Sequence, residues 1–204
     1  MSLQRKLNEF MTIVNLRQWS CQFVKQEEQM KVKISPKKFY ENLYKELECI
    51  TPLKVDCGKL CNNACCEVSD EITGMYLFPF EGEMYSPMPK WGKIYDTDFV
   101  TDGGVCIDLF TCDGHCDRKK RPLSCRIFPL VPYIKSGGEM KIVIDPRGKE
   151  MCPLAQTMDA QELDADFVQA VEKVMKKCMK VRECRDFLMS LSAEIFIGEN
   201  LWRK

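Results

Sequence analysis

Apolar residues recur at helical spacing at both ends of the chain and lose that spacing in the middle. In "MSLQRKLNEFMTIVNLRQWS", Leu3, Leu7, Phe10, Met11 and Val14 predict an amphipathic helix running on toward Trp19 and Phe23. A second helix is predicted in "SPKKFYENLYKELECI", with Ser35 as N-cap, Pro36 in the first turn, Phe39, Leu43, Leu47 and Ile50 on one stripe, and an end before Pro52. Near the C-terminus Asp159 and Glu162 form a D-x-x-E capping pattern, followed by Leu163, Phe167, Val171, Val174 and Cys178. Cys184, Phe187, Leu188, Leu191 and Ile195 make a further stripe. Between 55 and 155, glycine, proline, aspartate and cysteine punctuate short apolar runs such as "MYLFPF" and "MKIVID", which predicts short strands and loops. "CRIFPLVPYI" is expected to be an edge strand or extended loop, because Pro129 and Pro132 cannot donate to a sheet ladder.

This pattern predicts a single α+β domain over residues 1–204. N-terminal helices (1–54) and C-terminal helices (156–204) flank an irregular, cysteine-rich, metal-organised centre with short strands (55–155). With 45% apolar and 29% charged residues, the chain has enough hydrophobic material for a core without disulfides. Its 30 basic and 30 acidic residues cancel, so no overall field favours nucleic acid. No apolar run approaches the roughly 18 residues of a membrane span, and polar residues interrupt the N-terminal run before it reaches a signal-peptide core. The expected setting is the cytoplasm, where disulfides rarely persist, so 13 cysteines need another explanation.

Cys21, Cys49, Cys178 and Cys184 lie on predicted apolar faces and are read as small buried hydrophobes. The others fall where regular structure is weakest, in a region that a metal could organise in place of a core. Cys57, Cys61 and Cys65 are four apart and would share one face of a helix, with Cys66 turned about 100° away. Gly58, Asn62 and Asn63 weaken that helix. The second group is Cys106, Cys112, Cys116 and Cys125, with an Asp113-Gly114 turn between two of its thiols, and Cys152 before Pro153 is a late ligand from a distant loop. All nine are candidate metal ligands. Thiolate ligation selects zinc or an iron–sulfur cluster over hard cations. His115 is an alternative ligand or an exposed turn residue. "RKKR" (118–121) with Arg126 would compensate the thiolate charge or form a solvated basic loop.

"CGKLCNNACC", "CIDLF", "RPLSCRIFP" and "CPL" together resemble the YkgJ-like cysteine-cluster family, described as a zinc- or iron-chelating domain of CxxCxxCC type, over roughly residues 55 to 155. The resemblance implies Cys57, Cys61, Cys65 and Cys66 as one ligand group and Cys106, Cys116, Cys125 and Cys152 as the other. Arg121-Pro122 and Cys125-Arg126 are its most specific match; Arg121 and Arg126 are expected beside the cofactor, with Pro122 and Pro129 fixing the loop that presents Cys125. The first cluster has three residues between its leading cysteines where the family has two, and Cys112 is extra, so Cys112 and Cys116 remain alternatives. Similar clusters in flagellin lysine N-methylases add a modification enzyme as the alternative to a metal-binding protein. No GxSxG, HExxH or Walker motif is present, and Asp96, Asp98 and Asp102 fail the spacing of a calcium loop. The one partner the sequence implies is a metal ion.

Overall fold

The computed structural model describes residues 35–67, 73–114 and 116–201, with side chains to 198. The predicted first helix and Cys21 lie outside them. Helix α1 (Pro36–Glu46) begins at Ser35 with Pro36 in its first turn, as expected, although Ser35 makes no side-chain cap bond. It ends at Leu47, before the predicted limit, and its buried face is Tyr40, Leu43, Tyr44 and Leu47. Phe39 and Ile50 are only partly buried at its edge. Two tyrosines can serve as core because both hydroxyls are satisfied: Tyr40 donates to the Pro79 carbonyl at 2.7 Å and Tyr44 to Glu81 Oε1 at 2.6 Å. Cys49 is exposed, so the expectation that it packs in the core is corrected; it lies past the helix end.

After α2 (Gly58–Cys61), strands β1 (Met75–Tyr76), β2 (Gly92–Val100) and β3 (Cys106–Cys112) form an antiparallel sheet with β3 in the centre. Its register sets Phe110 opposite both Met75 and Ile94. Helix α3 (Leu123–Ile127) leads into a hairpin of β4 (Leu130–Ile134) and β5 (Met140–Ile144), in which Pro132 stands opposite Ile142. A two-stranded sheet consists of edges alone, which is why it accepts proline. The edge-strand expectation therefore holds for the second half of "CRIFPLVPYI", while its first three residues end a helix.

After α4 (Pro153–Thr157), the Asp159–Glu162 capping box forms but closes an isolated turn, Ala160–Glu162. Helix α5 (Ala165–Cys178) starts later, at Asp164, whose side chain accepts from the amides of Asp166 and Phe167. Helix α6 (Arg182–Leu201) follows. The two predicted stripes meet here: Phe167, Val171, Val174, Cys178, Phe187 and Leu188 are fully buried, and Cys184 nearly so. One hydrophobic cluster runs from Tyr40 on α1 through β4 to Ile195 on α6, with Phe78 set edge-on against Phe187 at 5.0 Å. Helices and small antiparallel sheets make the fold α+β. No helix among the described residues is long and apolar enough to cross a membrane.

Candidate thiol site

The first cysteine segment is not one helix. Helix α2 is a single turn that ends because Asn62 and Asn63 both adopt the left-handed conformation, φ 52° and 57°. Asparagine tolerates that region far better than most residues. A second short turn, Ala64–Cys66, follows. Gly58 lets the bend close, since a Cβ there would stand 2.1 Å from Asn63 Oδ1. The expected divergence of Cys66 is corrected by this fold-back: Cys65 Sγ and Cys66 Sγ lie 4.0 Å apart.

The remaining thiols arrive on other elements. Cys112 ends β3, and the Asp113-Gly114 turn follows, with Gly114 at φ +84°. Cys116 Sγ accepts a hydrogen bond from Arg121 Nε at 3.0 Å. Cys125 sits in α3, and Cys152, buried, precedes α4. Arg118 reaches across to Asp56 at 3.4 Å and joins the two cysteine groups. Arg126 donates to the carbonyls of Arg121 (2.8 Å) and Lys119 (2.6 Å) and stacks over the Tyr44 ring, 4.1 Å from its centroid.

Behind this loop lies Glu81, completely buried. Its Oε1 accepts from Tyr44 and from the Leu123 amide at 2.6 Å each, and its Oε2 from the Phe78 amide at 2.9 Å. Burial raises its pKa, against the pull of those three donors. One carboxyl thus ties α1 and the 78–81 turn to the start of the helix that carries Cys125.

Two adjoining cavities collect the thiols. The narrower, about 100 Å³, is lined by Cys57, Cys61, Cys65, Cys66, Cys125 and Cys152 with Arg118, Arg121 and Arg126. The wider, about 580 Å³, shares Cys65, Cys66, Cys125 and Arg121 and adds Cys112 and Cys116. Both alternatives of the second group, Cys112 and Cys116, therefore face the same space. Among the described residues no three of the Cys, His, Asp and Glu side chains stand close enough together to hold a metal ion. His115 lies outside the described residues.

Cys106 does not join them. It opens β3 while Cys112 closes it, and at about 3.3 Å of rise per residue the two are roughly 20 Å apart. It lines neither cavity and is disulfide-bonded. Its place in the ligand set is corrected for that reason: "CIDLFTC" is an extended strand, which carries its two cysteines to opposite ends.

Crowding leaves its mark on the thiols. Burial, then neighbouring Cys61, raises the pKa of Cys57; contact with Cys66, then burial, raises that of Cys65. Burial followed by the nearness of Cys116, Cys112 and Cys66 raises Cys125. As free thiols these groups hold their protons, and any ion that binds them must displace those protons. Glu81 and Tyr44 escaped the sequence reading, because a glutamate in "FPFEGEMY" gives no sign of burial.

No protein-family model, curated protein or solved structure matches this chain.

Proposed function

We propose that the protein chelates a soft metal, zinc or iron (including an iron–sulfur cluster), through the cysteines around the two cavities: Cys57, Cys61, Cys65, Cys66, Cys112, Cys116, Cys125 and Cys152. The carrying observation is their convergence from separate elements onto shared space while remaining partly solvent-exposed, Cys152 excepted. A cysteine used only for packing is typically fully buried, as Cys178 and Cys184 are here. The donor chemistry fits a thiophilic ion. Arg118, Arg121 and Arg126 supply positive charge where several thiolates would gather, a contribution of the kind that neighbouring groups make to metal sites.

The test is elemental analysis with an absorption spectrum on protein purified without oxygen, alongside Cys61→Ser, Cys125→Ser and the control Cys49→Ser. The reading requires stoichiometric zinc or iron in the wild type and in the control, with marked loss in the two site variants. Metal-free wild type, or variants that keep full metal, would overturn it.

A further inference from the structure

The wider cavity has a second wall that metal chelation does not use. Its lining also includes Trp91, just before β2, and Tyr95 on β2, with Met75 and Met151. Its size, about 580 Å³, falls within the roughly 300–1,000 Å³ of small-molecule sites. The aromatic wall is fixed in advance. Trp91 packs edge-on against Phe110 (5.7 Å), Phe110 stacks on Tyr85 (4.4 Å), and the Trp91 carbonyl accepts from the amide of Asp113 at 3.1 Å, one residue past Cys112. Gly92 keeps the strand close, since a Cβ there would stand 2.4 Å from the Phe110 ring.

The charges around this space are unevenly placed. Glu67, Lys90, Lys93 and Asp113 are exposed at its rim, where water screens them, whereas Arg121 is half-buried in the wall. Arg121 gives Nε to Cys116, and neither terminal nitrogen donates to a protein acceptor among the described residues. A guanidinium set in a partly apolar wall, with both terminal nitrogens unclaimed among the described residues, is arranged for a bidentate oxyanion.

We propose that this cavity binds a small organic carboxylate, with its carboxylate on the terminal nitrogens of Arg121 and its aromatic or apolar body against Trp91 and Tyr95. A ligand so held lies beside Cys65, Cys66, Cys112, Cys116 and Cys125, within the thiol site. The proposal needs only the chain's own groups and stands whether or not the thiols hold a metal.

The test uses phenylacetate as probe, with benzylamine as its cationic counterpart, followed by saturation-transfer NMR on the full chain as purified and again after its metal content has been measured. Phenylacetate is expected to bind in the millimolar range or tighter, and benzylamine not at all. Arg121→Gln should weaken phenylacetate by about 10-fold or more, the loss expected of a charged hydrogen bond. Trp91→Leu, which keeps the backbone bond to Asp113, should weaken it while leaving the metal content unchanged. Folding of each variant is checked by its far-ultraviolet circular dichroism. Absence of phenylacetate binding to the wild type, equal binding of benzylamine, or a folded Arg121→Gln that binds as the wild type does would each overturn the proposal. Metal-free protein that still binds the probe would refute chelation and leave this inference standing.

Discussion

Replacing Glu81 by glutamine tests the junction that carries Cys125. The two carboxyl oxygens each accept from a different backbone amide, Leu123 at 2.6 Å and Phe78 at 2.9 Å. A carboxamide has one acceptor oxygen, so in either orientation its NH₂ meets one of those amides donor to donor. The group is fully buried, so water cannot compensate. An orphaned buried donor costs about 1–3 kcal/mol, which in a chain of this size lowers Tm by roughly 2–12 °C. Glu81→Ala would strand Tyr44 as well and approach the whole stability of a small domain, which makes glutamine the informative change. The pH dependence has a defined sign. Because burial raises the folded pKa of Glu81, the stability it provides is full below the unfolded value, near 4.3, and is lost as pH rises through the folded value. The gap between wild type and Glu81→Gln should therefore be widest at the acid end of the range and narrow as pH rises. Urea denaturation at several pH values measures it. A glutamine variant as stable as the wild type throughout, or a gap that widens with pH, would refute the reasoning.

Arg126→Ala should cost about 2–3 kcal/mol through loss of its two carbonyl bonds and its stacking on Tyr44; Arg126→Lys should recover little of this, because an ammonium lacks the planar fork, and urea denaturation separates the two. Removing the α5 cap by Asp164→Ala should cost about 1 kcal/mol, read as a lower midpoint with unchanged m-value. Glu46 bridges α1 to Lys173 and Lys177 on α5, and its bond to Lys177 above all holds its pKa below the ordinary value. Its contribution, about 1 kcal/mol or less, is present at neutral pH and lost as pH falls through the folded value, so Glu46→Gln should match the wild type in acid and trail it slightly at pH 7.

The C-terminal helices were legible because each buries a wide stripe, and helical spacing follows directly from which side faces the core. Their limits were less so: the D-x-x-E signal at Asp159 was real chemistry attached to a separate turn, with Asp164 starting the helix five residues on. The cysteine spacing drew attention to residues that line two cavities, but not to how they meet. Two left-handed asparagines bend the 57–66 segment, and a strand removes Cys106 from the set. Glu81 lay beyond sequence reasoning, because its burial depends on three donors from distant segments that no local pattern announces.

The 57–66 segment has a consequence for local stability. Only Gly58 is buried there, Leu60 stands 68% exposed, and the neighbouring Val55 is 58% exposed. The segment therefore has almost no apolar anchor and only single turns of backbone hydrogen bonding, so its opening equilibrium is decoupled from global unfolding. Its amides should exchange with deuterium far faster than those of α5 and α6. Half of the candidate ligands thus sit on a unit that can open and reclose while the helical core stays folded.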